Sequence, residues 1–180
     1  MKRILVLVSI AIMVCLLLIP SGTVFADQTY HSERLPVHSE NPSVYPLRNG
    51  IVVNIHTNGI TNFAVEEYIL NGAKPDTTYW LCREFQEPLL GGLTAPWDPL
   101  YTGFVLVTDK NGNGNCNLKV LVAQIAPLIA FGQTDLHVKF VFVVGGHPDE
   151  VYPGTGLYKI HQGTPAYETD VTEINLDSKR

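Results

Sequence analysis

The sequence predicts an all-β fold, an antiparallel immunoglobulin-like β-sandwich of about seven to nine strands. From Gly50 onward, apolar and polar residues alternate with period two, and Gly, Pro, Asn and Asp separate the alternating segments. No capped helix is predicted. The best helical candidate, residues 119–131, has β-branched side chains near its start and contains Pro127. Strands without crossover helices predict antiparallel pairing.

Eight segments carry the alternation, and each is predicted to form one strand. They are residues 51–57, 63–70, 78–85, 101–109, 116–123, 136–144, 157–161 and 171–176. Two Asn-Gly pairs lie between the fourth and fifth segments, and Asn-Gly favours the positive φ angles of tight turns. The sequence therefore predicts a β-hairpin around residues 109–115.

The N-terminus is predicted to be a signal peptide, residues 1–26. Lys2 and Arg3 precede an apolar run over residues 4–19, and Ala26 ends a stretch suited to signal peptidase. The run would span roughly 24 Å as a helix, which is short of the ~30 Å hydrocarbon core, so cleavage is favoured over a retained anchor. A Pro-containing extended arm, residues 27–49, and a β-sandwich domain, residues 50–180, are predicted to follow.

The net charge of the chain limits the kinds of partner that the protein is expected to bind. The chain has 12 basic and 17 acidic residues, and removal of Lys2 and Arg3 changes the net charge from 12 − 17 = −5 to 10 − 17 = −7. Because nucleic-acid binders neutralise phosphates with Lys and Arg, no nucleic-acid partner is expected. We expect a secreted or cell-envelope protein without a membrane span after cleavage, whose partner is an extracellular protein or a glycan.

Two cysteines follow the predicted signal peptide, Cys82 and Cys116. In an oxidising compartment such a pair can form a disulfide, and two buried free thiols are the alternative. The predicted turn also places Asp109, Asn111 and Asn113 at alternate positions, as in the opening of a calcium loop. Position twelve of such a loop would be Val120 rather than an acid, so no cofactor is predicted and calcium is the alternative.

A second pattern carries a family resemblance. Pro75, Thr77 and Tyr79 recur two residues apart between two predicted strands. This segment resembles the corner of fibronectin type III and related immunoglobulin-like domains. The resemblance implies that the chain crosses between sheets here and that the Tyr79 hydroxyl bonds back to the loop backbone. It implies no catalytic residue.

No enzymatic activity is predicted. Glu66 and Glu67 are adjacent on a strand, so their side chains point to opposite faces and cannot act as one acid/base pair. The six histidines are dispersed, and the densest group of metal ligands is His147, Asp149 and Glu150 on a Gly- and Pro-containing segment. A metal-dependent secreted enzyme or a copper protein is therefore an alternative hypothesis.

A loop with aromatic residues gives the main alternative. Trp97 and Tyr101 could stack on a pyranose ring while Asp98 accepts hydroxyl hydrogen bonds, or the same loop could cover one end of the core. The predicted function is a non-enzymatic secreted or cell-surface module with a structural or protein-binding role. The alternatives are a carbohydrate-binding module and the metal-dependent protein.

Overall fold

A computed structural model describes residues 29–57, 61–89, 92, 95–124, 126, 135–151 and 158–176. The predicted signal peptide lies outside these residues. No helix in the described part is long and apolar enough to cross a membrane. The described residues form eleven strands: β1 (Thr29–Ser39), β2 (Asn49–Thr57), β3 (Asn62–Asn71), β4 (Thr78–Phe85), β5 (Leu100–Val107), β6 (Gly114–Leu121), β7 (Asp135–Val144), β8 (His147–Glu150), β9 (Tyr158–His161), β10 (Thr164–Thr169) and β11 (Thr172–Asn175).

The strands form one curled antiparallel sheet, a half-barrel, in the order β6-β3-β2-β1-β10-β7-β4-β5-β9-β8, with β11 also paired to β7. Strand β1 joins the two halves of this sheet, since residues 29–36 pair with β2 and residues 37–39 pair with β10. We call β6, β3 and β2 the β3 half, and β10, β7, β4 and β5 the β4 half. The all-β antiparallel prediction is confirmed. The described strands form a half-barrel of eleven strands, and the predicted sandwich of seven to nine strands is not confirmed.

All eight predicted strands are present, as β2 to β7, β9 and β11. Three further strands, β1, β8 and β10, lie where the sequence shows little apolar alternation. The segment predicted to be an N-terminal arm contains β1, which is part of the sheet. The neighbouring strands supply the hydrogen bonds that hold such polar segments extended.

The main core lies between the two halves and is rich in aromatic side chains. Tyr68 on β3 packs edge-on against Phe140 and Phe142 on β7, with ring centroids 6.0 and 5.6 Å apart. Tyr79 and Tyr167 continue the cluster and are fully buried. Burial of each large side chain contributes about 1.5–3 kcal/mol, so this aromatic layer is a major source of stability.

A smaller apolar cluster lies on the outer face of the β4 half. Cys82, Val141, Val143 and Ile160 are buried together there, with Trp80 and Tyr101 packed against them. Strand β9 supplies Ile160 and is linked to the sheet by pairing of Leu100 with Lys159. Because residues alternate along β4, this cluster and the main core use opposite faces of the same strand.

The connection between β5 and β6 is not the predicted hairpin. Strand β5 pairs with β4 and strand β6 pairs with β3, and no β5–β6 ladder is present within these described strands. The turn chemistry was located correctly, because Gly112 has a φ of +76°. A Cβ atom there would lie 2.0 Å from the carbonyl oxygen of Ala73, so the loop also needs glycine to dock against the β3–β4 corner.

Candidate functional site

A buried ion pair crosses the core between the two halves. Glu66 on β3 accepts two hydrogen bonds from Arg83 on β4, from Nε at 2.9 Å and from Nη2 at 2.7 Å. The Tyr68 hydroxyl donates to the same carboxylate at 2.7 Å. Glu66 is only 2% exposed, so this bidentate pair is a clasp inside the fold.

The electrostatics of the clasp favour a structural role. Burial alone would lower the pKa of Arg83, but the Glu66 carboxylate outweighs it and raises that pKa above its ordinary value. Burial, reinforced by the charge of Glu66, raises the pKa of Tyr68. Arg83 therefore stays protonated and Tyr68 stays neutral, and both oxygens of Glu66 are engaged. Of the two adjacent acids that the sequence predicts on opposite faces, Glu66 is the one that faces the core.

The inner face of the β3 half carries further polar side chains. Glu33, Asn54 and Glu66 lie directly opposite one another on β1, β2 and β3. Asn54 is fully buried, and its Nδ2 donates to Nε2 of His56 at 2.9 Å. Glu33 accepts a hydrogen bond from the Thr172 hydroxyl at 2.7 Å. We call Glu33, Asn54 and Glu66 the polar row.

The residues predicted to contact sugars have different neighbours. Trp97 is 37% exposed, and the ammonium of Lys139 lies 5.3 Å from the centre of its ring. Tyr101 is half-buried and packs edge-on against Trp80. Asp98 accepts a hydrogen bond from the backbone of Ala95 at 3.1 Å. These contacts give each of the three residues a local packing role, and the carbohydrate alternative stays a prediction.

Lys139 is also the centre of an ion network on the outer face. Its ammonium lies 3.2 Å from Glu84 and 2.5 Å from Glu168. Burial raises the pKa of Glu84 despite the nearby Lys139. Arg83 and Glu84 are consecutive on β4, so this strand contributes to one ion network on each face.

The predicted calcium ligands are used within their own loop. Oδ1 of Asp109 accepts hydrogen bonds from the backbone N–H groups of Asn111 at 2.8 Å and Asn113 at 2.9 Å. These two amides lower the pKa of Asp109. Oδ1 of Asn113 accepts the N–H of Gly72 at 3.3 Å. This geometry explains the loop as an Asx turn docked on the β3–β4 corner, and calcium stays a prediction.

The two cysteines are not bridged. Cys82 is buried in the outer cluster of the β4 half, whereas Cys116 on β6 packs against the main core. Burial, with a contribution from Glu84, raises the pKa of Cys82 to about 12. The disulfide that the sequence admitted is therefore replaced by the alternative of two separate thiols, because the two side chains lie on different faces of the fold.

The corner that carried the resemblance has the implied hydrogen bond. The Tyr79 hydroxyl lies 3.5 Å from the carbonyl oxygen of Lys74, and the Thr77 hydroxyl donates to the carbonyl of Pro75 at 2.8 Å. Burial raises the pKa of Tyr79, so the hydroxyl remains a donor. The Tyr167 hydroxyl accepts the Lys74 N–H at 3.2 Å and fixes the corner from the other half.

Four of the six histidines lie in pairs across neighbouring strands, His31 with His56 and His147 with His161. His147 on β8 lies opposite His161 on β9, with ring centroids 5.9 Å apart, and its Nε2 is 3.2 Å from Asp149. Glu150 is on the same strand. Among the described residues, no group of three or more His, Cys, Asp or Glu side chains is placed to hold a metal ion. The metal alternative stays a prediction.

An exposed apolar strand is the feature that the sequence interpretation missed. On β5, Phe104, Val105 and Val107 are 43%, 38% and 57% exposed. The apolar alternation there predicted a strand, but it did not predict that the described part of β9 pairs with β5 only at Leu100 and leaves Phe104, Val105 and Val107 exposed.

Comparison of the chain with protein-family models, with curated proteins and with solved structures found no match.

Proposed function

We propose that this protein is a secreted, non-enzymatic structural module that assembles with copies of itself through strand β5. The observation that carries the proposal is the exposed, uncharged apolar edge formed by Phe104, Val105 and Val107. Patches of this kind on folded domains are typical of protein–protein contacts. The buried acid of the core is already paired with Arg83, which supports a structural over a catalytic role.

The backbone of β5 is suited to strand addition. Val107 lies opposite Thr78, and the Thr108 N–H bonds to the carbonyl of Thr77. Hydrogen-bonded and non-hydrogen-bonded residue pairs alternate along an antiparallel ladder, so the N–H and C=O groups of Val105 and Val107 point away from β4. On that side, β9 pairs with β5 at Leu100 within the described residues. An added strand would therefore find backbone donors and acceptors beside exposed apolar side chains.

The charge of the edge favours a second copy as the occupant. Between Asp98 and Asp109 the chain has no charged residue, so nothing on β5 repels an identical strand. Edge strands of monomeric proteins usually carry Lys, Pro or other devices that prevent such pairing. Antiparallel pairing of two β5 strands about a two-fold axis would place apolar residues opposite one another in the commonest oligomer symmetry.

Two finer parts of the proposal rest on sequence and local geometry. The charged and apolar pattern of residues 1–26 supports secretion. The hydrogen bond from Tyr79 to the corner backbone supports an immunoglobulin-like ancestry for the half-barrel.

Light scattering coupled to size-exclusion chromatography tests the proposal. We expect a dimer whose fraction rises with protein concentration, and we expect Val107→Lys to give a monomer with an unchanged melting temperature. Leu121→Lys is the matched control, because Leu121 is a 40% exposed apolar residue on β6. A wild-type monomer at every concentration, or equal loss of the dimer in both variants, would contradict assembly through β5.

A further inference from the structure

One buried acceptor in the polar row has no hydrogen-bond partner. Asn54 is fully buried, its Nδ2 is engaged with His56, and its Oδ1 contacts no donor in the described structure. An unsatisfied buried acceptor destabilises a fold, so such a group calls for a partner such as a bound water, an ion or a ligand. The side chain of Asn54 therefore marks a place where a donor is missing.

The neighbours of Asn54 specify the charge of that donor. Glu66 lies opposite Asn54 on one side, and Arg83 neutralises it. Glu33 lies opposite on the other side and is 27% exposed. Its Oε2 accepts from Thr172, and its Oε1 lies 3.4 Å from His31, which is a cation only when protonated. Among the described residues, Glu33 is thus the carboxylate of the polar row that has no Lys or Arg beside it.

We propose that the polar row binds a protonated primary amine between Glu33 and Asn54. Directly opposed residues of an antiparallel ladder have Cβ atoms about 4.5–5.5 Å apart and point to the same face. In this proposal one ammonium group, which has three N–H donors, donates to Oδ1 of Asn54 and to Oε1 of Glu33. It satisfies the orphan acceptor and balances the charge of Glu33.

The proposed site distinguishes cations by whether they carry N–H donors. A primary ammonium has N–H donors, whereas tetramethylammonium has the same charge and none. Sodium supplies charge without hydrogen bonds, and both sodium and tetramethylammonium report any nonspecific salt effect. The ligand is therefore defined as a small cation with N–H donors, such as methylammonium.

Thermal unfolding of the purified chain with methylammonium chloride tests this proposal, because a ligand that binds only the folded state raises its stability. We expect a melting temperature that rises with methylammonium at millimolar concentration and does not rise with matched tetramethylammonium or sodium chloride. Titration calorimetry should show affinity reduced about tenfold or more in Glu33→Gln, which retains a side chain able to bond to Thr172.

A second variant separates binding from folding. Asn54→Leu removes the orphan acceptor with a side chain of similar size, and we expect it to fold and to lose the methylammonium response. Equal responses to methylammonium and tetramethylammonium, or an unchanged response in both variants, would overturn the proposal. A crystal structure with methylammonium that shows only a water beside Oδ1 of Asn54 would overturn it too.

Discussion

Strands β5 and β6 are consecutive in the chain, and in the described residues most of each strand pairs on one side only, but their exposed surfaces differ. Strand β6 exposes Asn115, Asn117 and Lys119, together with one apolar residue, Leu121. Strand β5 exposes Phe104, Val105 and Val107 and no charge. Polar and charged side chains protect an edge from pairing with other chains. The comparison therefore indicates that β5 is the edge available for assembly.

The terminal strand β8 supports the same distinction. It has four residues, and its sequence His-Pro-Asp-Glu combines a proline with two acids. Short length, proline and charge each disfavour strand addition. In the described parts of β5, β6 and β8, the exposed segment of β5 is the one without these protective features.

The largest expected effect comes from breaking the clasp between Glu66 and Arg83, which joins the β3 half to the β4 half. Glu66→Gln leaves the partly buried guanidinium of Arg83, which is 19% exposed, without its counter-charge, and we expect a loss of about 3 kcal/mol in the free energy of unfolding. Urea denaturation measures this loss. The control is Glu67→Gln, one residue away on the opposite face, which should change stability little. The double variant Glu66→Leu with Arg83→Met should recover most of the lost stability. A double variant no more stable than Glu66→Gln would contradict this description of the clasp.

A smaller effect is expected at the end of β5. The buried Thr108 hydroxyl donates to the carbonyl of Lys74 at 2.7 Å and accepts the N–H of Thr77 at 3.0 Å. Thr108→Val keeps the shape and removes both bonds, so we expect a loss of about 1–3 kcal/mol by urea denaturation. Thr78→Val, at an exposed position beside it, should be nearly neutral. Equal effects of the two changes would show that the corner does not fix this end of β5.

The smallest effect is a pH dependence at the partly exposed pair of His137 and Glu87 on the β4 half. The ring of His137 lies 2.6 Å from Glu87, whose carboxylate raises the pKa of His137. Burial alone would raise the pKa of Glu87, but hydrogen bonds from His137 outweigh it and hold the pKa of Glu87 below its ordinary value. The His137 contribution is complete below the unfolded pKa of about 6.5 and disappears as pH rises through the folded pKa. The Glu87 contribution disappears as pH falls through its own folded pKa.

Thermal unfolding of His137→Gln across pH measures this contribution. The variant should be less stable than the wild type between about pH 4.5 and 6.5, where both groups of the pair are ionised. The two proteins should converge in alkaline solution. A difference that is larger at pH 9 than at pH 6 would contradict the assigned direction of the shifts.

Alternation of apolar and polar residues was sufficient to predict the strands that have one apolar face. It failed for β1, because residues 29–39 are mostly polar and include Pro36, and this segment becomes a strand through pairing with β2 and β10. The predicted hairpin failed for a related reason. Turn residues specify a change of direction, but which strands then pair depends on contacts that are distant in sequence.

The site was predictable only in part. The opposite orientations of Glu66 and Glu67 follow from strand geometry, and the structure confirms them. The partner of Glu66 is Arg83 on another strand, and no local pattern indicates that pairing. Cys82 and Cys116 show the same limit, because which face of the fold each occupies depends on the curl of the sheet.

Amide hydrogen exchange at β5 tests the central claim most directly. The backbone N–H groups of Val105 and Val107 point away from β4, so pairing with a second copy would protect them. We predict that their exchange slows as protein concentration rises and that exchange at Asn117 and Lys119 on β6 does not change. Exchange at Val105 and Val107 that is independent of concentration, or protection that develops on β6, would contradict assembly through β5.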